Sequence, residues 1–448
     1  MVNEDLQYTL ICDDGSKLFY KPHTSELIDS SGMNVYEKNP VQISKVNDFY
    51  VETPKDYKHR HLANLIHPFF NPGKKVKEVG RLKIQLGLKC NYSCEYCSQA
   101  SFVPDASIST DDDVDIFLEK LEKNLNLEDC GLVELWGGEP LLYWKKIKKI
   151  VPYIYNINPS VEFSIVTNGS LINQEKIDFF KKYKFSVTMS HDGPGYHLRG
   201  PDPLDNKRKF KFIEQLIELN KKDELGFSFS IVWTKENNNF EETIKWFQDK
   251  FNNPNVPISA EGVVEAYDIN TATNEKTGKF DYSFLQTFED RVYDGLVDGT
   301  KPLTNVFSSV DKINEFFGTL IYKKHGNTVG QKCGMENEDD IAIDLKGNVL
   351  TCQNVGLEKN HYAGDVEDLE EVRVKSSRHW SWREECSHCP VLQLCQGSCM
   401  FLTGKEFAQT CWNEYAYNMG HFKAAITYLT GKRVVDIEGD VRRPSLDG

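Results

Sequence analysis

The sequence predicts an α/β protein centred on a partial, TIM-like (β/α)6 barrel, with an N-terminal β-rich extension and a C-terminal cysteine-rich domain. Between about residues 80 and 265, short apolar segments alternate with amphipathic ones, which is typical of parallel strands joined by helices. The first residues alternate with a period of two instead, which indicates antiparallel strands. Seven of the twelve cysteines lie between residues 331 and 412.

Size and charge narrow the class of protein. A chain of 448 residues suggests two or three domains. The net charge of −14 disfavours non-specific nucleic-acid binding, which needs a basic surface. No apolar run approaches the ~20 residues that span a bilayer, and the first residues do not resemble a secretory signal. We therefore predict a cytoplasmic protein that binds neither nucleic acid nor membrane.

Four regions follow from these patterns. They are a β-rich N-terminal domain (1–78), the barrel (79–265), a helical connector (266–330) and the cysteine-rich domain with a final helix (331–448). The barrel strands are predicted at 82–86, 132–135, 161–166, 185–189, 227–232 and 258–264. Helices are predicted at 114–127, 175–183, 284–296, 310–322 and 413–429. An eight-unit closed barrel is the alternative, but we find no seventh or eighth unit.

Polar motifs follow the predicted barrel strands. A cysteine triplet follows the first strand, and the segments Trp136–Pro140, Thr167–Gly169 and Ser190–Pro194 follow the next three. Glu261 lies within the sixth. Because ligands of parallel α/β folds bind at the carboxyl ends of the strands, we predict the active site at this edge.

The triplet is Cys90, Cys94 and Cys97, with the spacing C-x-x-x-C-x-x-C. Three thiolates leave a four-iron cluster one ligand short, so one iron can bind a small molecule. Structural zinc, the alternative, usually takes four ligands in two pairs. The segment resembles the radical SAM enzymes, with Tyr96 as their aromatic residue before the last cysteine. The resemblance implies that these cysteines hold the catalytic cluster, which cleaves S-adenosylmethionine to a 5′-deoxyadenosyl radical that abstracts hydrogen.

Further residues match the cofactor site of that family. Gly137, Gly138 and Glu139 match its GGEP segment, in which the glycines would let the backbone approach the ligand. Glu139 would accept a hydrogen bond from the methionine amine.

The same resemblance assigns roles to the ends of later strands. Asn168 and Ser190 would hold the ribose and carboxylate of S-adenosylmethionine, and Arg199 would bond to the carboxylate. The strand around Glu261 would contact the adenine. Asp192 is a candidate proton acceptor. His191 either lies beside the cofactor or has a structural role. For Asn168, Ser190 and Arg199, the alternative is that each is a solvated loop residue.

The cysteine-rich region resembles the SPASM domain, which carries two auxiliary four-iron clusters. By that resemblance the outer cluster would be held by Cys386, Cys389, Cys395 and Cys411, and the inner one by Cys333, Cys352 and Cys399. Some members have another cysteine soon after the first, but residues 334–350 contain none. The fourth iron of the inner cluster is then open or takes a non-cysteine ligand. A pair of zinc ribbons is the alternative, although it would leave an odd cysteine.

The resemblance implies cofactors, partners and a reaction. The cofactors would be S-adenosylmethionine and three [4Fe-4S] clusters. The partners would be a ribosomally made precursor peptide and a one-electron reductant such as flavodoxin or ferredoxin. The radical would abstract hydrogen from the peptide, which then forms an internal C–C or C–S cross-link. The N-terminal domain would grip the peptide leader by strand addition, or would pack on the barrel as a bare hairpin.

Other functions remain compatible with the same motifs. An anaerobic sulfatase-maturating enzyme, a peptide epimerase and a splicease would use the same machinery. A non-catalytic iron–sulfur electron carrier belongs to a different class, and the GGEP segment disfavours it. Cys12 and Cys130 are expected to be ordinary apolar residues.

Overall fold

The structure is a computed structural model that describes residues 3–36, 73–100, 102, 111–265 and 274–441. Much of the predicted N-terminal domain, residues 37–72, lies outside the described residues, as does the start of the predicted connector. Among the helices of the described part, none is long and apolar enough to cross a bilayer.

The chain forms thirteen strands within these residues. In order they are β1 (Tyr8–Cys12), β2 (Lys17–Lys21), β3 (Glu26–Asp29), β4 (Arg81–Gln85), β5 (Leu132–Trp136), β6 (Glu162–Thr167), β7 (Phe185–Ser190), β8 (Gly226–Trp233), β9 (Ile258–Val263), β10 (Asp340–Asp344), β11 (Asn348–Leu350), β12 (Tyr362–Asp365) and β13 (Val434–Glu438). The helices are α1 (Asp111–Asn124), α2 (Trp144–Ile157), α3 (Gln174–Lys182), α4 (Lys207–Lys221), α5 (Phe240–Phe251), α6 (Tyr282–Val297), α7 (Phe307–Ile321), α8 (Glu384–Ser387), α9 (Leu392–Cys395) and α10 (Gly404–Thr430).

Strands β4 to β9 form the predicted parallel sheet, in sequence order and with a helix between each pair. Each strand begins and ends within one residue of its predicted bounds. Leu82 and Ile84 of β4 and Val133 and Leu135 of β5 are fully buried, as expected because parallel sheets are buried in the protein interior. The predicted fold class is therefore confirmed.

The sheet also contains three strands that the sequence analysis missed. Strand β10 from the cysteine-rich region pairs in parallel with β4, so that Ile341 lies beside Leu82 and Ile343 beside Ile84. Strands β11 and β12 follow it in antiparallel order. The nine-stranded sheet runs from β12 to β9, and among the described residues no pairing joins those two ends. The cysteine-rich region is thus partly an extension of the barrel sheet.

A second sheet joins the two ends of the chain. Its order is β13-β1-β2-β3, and all its pairs are antiparallel. The ring of Tyr20 lies 5.1 Å from that of Phe422 in α10 and 6.0 Å from that of Phe316 in α7, between centroids. The predicted boundary at residue 78 does not isolate this sheet, because its fourth strand comes from residues 434–438 and its core is shared.

The connector contains α6 and α7, as the sequence predicts. The final helix, α10, begins at Gly404, nine residues before its predicted start, and therefore includes Cys411. It packs along α6. Most residues of α10 from Asn413 to Ile426 are buried, as in a helix enclosed by the core rather than one on the surface.

Candidate active site and auxiliary cysteine sites

The carboxyl ends of the barrel strands open onto a cavity of about 660 Å³. Its walls include residues of every predicted cofactor motif, namely Cys90, Cys94, Cys97, Gly137, Gly138, Glu139, Asn168, Ser190, Arg199 and Glu261. Three cysteines of the C-terminal region, Cys333, Cys352 and Cys399, line the same cavity. The fold thus brings together residues that lie far apart along the chain.

The cysteine loop follows β4 directly and offers three thiols to the cavity. The backbone N–H of Tyr92 donates to Cys90 Sγ at 3.3 Å, a contact that stabilises a thiolate. Burial raises the pKa of the Cys94 thiol to about 12, although nearby Arg199 opposes this. The thiol therefore keeps its proton unless a metal charge displaces it, as thiolate ligation requires. Three thiols on the wall of one cavity, one of them with an N–H donor, are the ligand set that a site-differentiated iron–sulfur cluster needs.

The glycine pair after β5 packs against this loop. Gly138 N donates to Gly87 O at 3.0 Å. A Cβ on Gly137 would lie 2.6 Å from Gly87 O, and one on Gly138 would lie 2.4 Å from Leu88 O. Both distances are below any real Cβ contact. The glycines thus let the two loops approach each other. The close approach of a ligand to their backbone stays a prediction.

Glu139 is 1% exposed and its carboxylate is already hydrogen-bonded within the protein. Oε1 accepts from Leu141 N at 3.0 Å and from Thr167 Oγ1 at 2.7 Å, and Oε2 accepts from Asn168 N at 2.8 Å. Burial raises the pKa of this carboxyl group despite these bonds. Glu139 therefore fixes the end of β6 to the glycine loop, and its contact with a methionine amine stays a prediction.

Asp192 is fully buried and lies behind the cavity wall. Its oxygens accept two bonds from Arg199, at 2.8 Å from Nε and 2.9 Å from Nη2. They also accept from Val232 N at 3.0 Å and from the hydroxyl of Tyr96. These contacts make Asp192 a positioning residue for Arg199 and for the cysteine loop. The geometry disfavours the predicted role of proton acceptor, because the carboxylate has no open side toward a substrate.

The remaining predicted residues lie at the strand ends as expected. Asn168 Nδ2 donates to Asn91 Oδ1 at 2.9 Å, which ties β6 to the cysteine loop. Ser190 and Glu261 lie on the cavity wall at β7 and β9. His191, in contrast, is structural: it is 2% exposed and its Nε2 lies 3.1 Å from Asp202 Oδ1.

Two buried polar residues of β4 hold the loops of the inner cysteines. Lys83 Nζ donates to Cys333 O at 3.0 Å, and Gln85 Nε2 donates to Gln353 O at 3.0 Å and to Val355 O at 2.5 Å. Both side chains are almost fully buried. Neither residue is among those predicted from the sequence, although polar residues at alternate positions of an otherwise apolar strand are a signal there.

The outer cysteines surround a separate, small cavity of about 20 Å³. Its walls include Cys386, Cys389, Cys395 and Cys411. Among the described residues, no three His, Cys, Asp or Glu side chains converge enough to hold a single metal ion. Arg383 donates to Cys399 O at 2.8 Å and to Leu402 O at 2.6 Å, and so holds the segment between the two cysteine sites.

Comparison with known proteins agrees with this geometry. The sequence model of the radical SAM superfamily matches residues 84–247, from β4 into α5. The chain contains a radical SAM domain. The prediction that this protein is a radical SAM enzyme is confirmed, and such a domain implies S-adenosylmethionine and one four-iron cluster as cofactors.

Curated relatives extend the similarity beyond this domain. The radical SAM cyclopropyl synthase TigE of Paramaledivibacter caminithermalis is 23% identical over 452 aligned positions, which cover 94% of this chain and 86% of the relative. A cysteine-type anaerobic sulfatase-maturating enzyme of Clostridium perfringens is 24% identical, with 69% and 85% covered.

A solved structure shares the fold. Native anSMEcpe with bound AdoMet superposes with a TM-score of 0.54 at 21% identity, covering 78% of this chain and 98% of that one. The number of auxiliary clusters, the individual cofactor-binding residues and the reductant stay predictions.

Proposed function

We propose that this enzyme matures a ribosomally made precursor peptide by forming a C–C or C–S bond within it. The observation that carries the proposal is the shared cavity. The cysteines proposed to initiate the reaction and the three inner auxiliary cysteines line the same 660 Å³ space. A peptide residue bound there would face both.

The contacts of each loop suggest the role that we propose for it. Cys90, Cys94 and Cys97 would hold the first cluster, which together with S-adenosylmethionine supplies a hydrogen-abstracting carbon radical. Asp192 holds the Arg199 guanidinium at the cavity wall, where it can pair with a carboxylate. The strand ends would enclose the cofactor and exclude water from the reacting carbon.

The C-terminal cysteines would hold two further clusters, which supply one-electron acceptors. The inner set lies on the cavity, and the outer set lies behind it, around α8, α9 and the start of α10. Oxidation of the substrate after loss of one hydrogen atom requires removal of one more electron and one proton. A cluster at the inner site would lie on the cavity wall beside the substrate and could accept that electron.

C–C bond formation is supported by the relative named a cyclopropyl synthase, since closing a cyclopropane ring makes a carbon–carbon bond. That similarity covers 94% of this chain. Sulfatase maturation is the second candidate. It is supported by the fold match, which covers 98% of anSMEcpe. The structure of anSMEcpe has also been solved with AdoMet and a bound Cp18Cys peptide.

The first experiment tests the catalytic class. Anaerobic reconstitution should give about twelve irons per chain, as three four-iron clusters require. The reduced enzyme should convert S-adenosylmethionine to 5′-deoxyadenosine. Replacement of Cys90, Cys94 and Cys97 by alanine should abolish this product, whereas the double variant Cys386→Ala/Cys389→Ala should retain it but lose peptide modification. Bound zinc in place of iron would contradict the proposal.

The second experiment separates the two substrates. The enzyme is incubated with a short peptide encoded beside its gene and, separately, with a peptide that carries a sulfatase cysteine motif. Mass spectrometry should show the first peptide lighter by two hydrogens and the second unchanged. Conversion of the sulfatase peptide alone would favour the second candidate.

A further inference from the structure

The inner cysteine site offers three thiols, and the side chain of His361 lies on the wall of the same cavity. We propose that His361 supplies the fourth ligand of the inner auxiliary cluster through Nε2. The inference rests on the proposed function, because it presumes a four-iron cluster at Cys333, Cys352 and Cys399.

The Nε2 atom of His361 is so buried that a bonding partner is expected for it. The residue lines the cavity and is 1% exposed. Its Nε2 is buried and has no hydrogen-bond partner among the residues that the structure describes. Buried polar atoms are nearly always paired, and a bound ion often accounts for an atom that is not. Because Cys333, Cys352 and Cys399 line the same cavity, a cluster iron held there is the partner that we propose for Nε2.

The other ring nitrogen is held as in metal-bound histidines. Nδ1 lies 2.6 Å from Thr351 Oγ1, and Thr351 N donates to His361 O at 3.0 Å. When the Nδ1 proton is donated to the threonine hydroxyl, Nε2 carries the lone pair. Metal-ligating histidines typically donate their second N–H to such a partner, which fixes both tautomer and ring orientation.

The ring is also held by the segments that carry two of the three cysteines. Thr351 directly precedes Cys352. Phe401, two residues after Cys399, stacks on the His361 ring with centroids 3.8 Å apart and planes at 27°. Assembly of a cluster on these two cysteines therefore orders the same segments that orient the imidazole.

A histidine ligand changes the chemistry of the site in a defined direction. A neutral imidazole in place of a thiolate leaves the cluster one unit less negative, which raises its reduction potential. A higher potential favours acceptance of the electron that leaves the peptide. A capped fourth iron also excludes direct coordination of the substrate at this cluster.

The test examines the auxiliary clusters in a variant that cannot bind the cluster of the cysteine triplet. Cys90, Cys94 and Cys97 are replaced by alanine, and the full-length chain is reconstituted with iron and sulfide. Pulsed EPR of the reduced protein is compared between material with natural histidine and material with ¹⁵N-labelled histidine. We expect a strong coupling to a directly bound nitrogen that changes with the label.

Two variants assign the nitrogen. In His361→Cys the coupling should disappear and the reduction potential of the inner cluster should fall. In the matched control, His421→Gln, the nitrogen coupling and the reduction potential of the inner cluster should be unchanged. His421 is likewise fully buried with an unpartnered Nε2, but it lies on α10 away from the cavity.

Each outcome has a separate meaning. About eight bound irons and a coupling that is lost in His361→Cys support the inference. The same iron content without a histidine coupling, or with a coupling that persists in His361→Cys, overturns it and leaves the proposed function intact. Absence of auxiliary iron overturns the auxiliary clusters of the proposed function and the inference together.

Discussion

Asp192 and Arg199 form a buried ion pair that determines how the cavity wall is built. The carboxylate is fully buried, and the Arg199 side chain is 12% exposed. Two parallel bonds fix the guanidinium in one orientation, as is typical of arginine–carboxylate pairs. The ring of Tyr96 lies against the same guanidinium, 5.3 Å from its centroid to Cζ. A residue predicted as a base thus connects the cysteine loop to the ends of β7 and β8.

Asp192→Asn should destabilise the protein strongly, because it leaves Arg199 buried without a counter-charge. We expect a loss of about 3–5 kcal/mol in the free energy of unfolding. The control is Asp205→Asn, which removes an exposed partner of Lys250 and should cost less than about 1 kcal/mol. Denaturant unfolding of the two variants measures both. Equal stability of the two would contradict the positioning role.

His421 should make stability depend on pH. Burial, with the charge of Lys312, lowers the pKa of its imidazole to about 3. The unfolded chain therefore binds a proton below about pH 6.5 that the folded chain does not bind. The free energy of unfolding should fall as the pH falls from that value, by at most about 1.4 kcal/mol per pH unit.

The variant His421→Gln tests this dependence. Its unfolding midpoint should decrease less than that of the wild type between about pH 7 and pH 5. His361, whose pKa burial lowers to about 4, acts in the same direction and leaves a residual slope. Identical slopes for the wild type and His421→Gln would show that His421 does not contribute.

At the scale of elements, the loops after β4 and β5 form one unit. Leu86 N donates to Trp136 O at 2.8 Å, and Glu139 N donates to Lys89 O at 3.0 Å. With the contact between Gly138 and Gly87, these bonds continue the pairing of the two strands beyond their ends. The cysteine loop therefore cannot shift unless the glycine loop shifts with it.

Gly138→Ala should disrupt this unit. Its Cβ would meet backbone atoms of Leu88 and Lys89 at 2.4–2.7 Å, and those atoms cannot rotate away. We expect a lower thermal midpoint and loss of the iron bound by the cysteine triplet. Gly318→Ala in α7 is the matched control, since nothing lies within 4 Å of its Cβ. It should be neutral or stabilising by up to about 1 kcal/mol.

At the scale of the whole molecule, the two ends of the chain fold together. Strand β13 pairs with β1, with Leu10 opposite Ile437. The turn after β2 also reaches the outer cysteine site, where His23 Nε2 lies 2.8 Å from Ser387 O. The outer cysteine site, the barrel and the N-terminal sheet therefore share contacts, and we expect them to unfold cooperatively.

Two residues of β13 test this coupling. Ile437 is 8% exposed and Val435 is 53% exposed. Ile437 lies opposite Leu10, whereas the register shifts at Val435, between the pairs Asp436–Ile11 and Val434–Cys12. Ile437→Asn should lower the free energy of unfolding by about 1–3 kcal/mol, and Val435→Asn by less than about 0.5 kcal/mol. If Ile437→Asn left the protease sensitivity of residues 3–36 unchanged, the N-terminal sheet would be independent of the C-terminal strand.

The sequence by itself determined what depends on local spacing. The period of apolar residues predicted β4 to β9 and the helices α6 and α7, and the cysteine and GGEP motifs predicted the edge of the sheet where the cavity lies. Only the tertiary structure decided what depends on pairing between distant segments. The position of β10 beside β4, the joining of β13 to β1, the internal bonds of Asp192 and the stacking of His361 on Phe401 each arise from contacts across long stretches of chain. Such contacts leave no periodic signal in a single sequence, because a residue pattern records the face a side chain buries but not the partner it meets there.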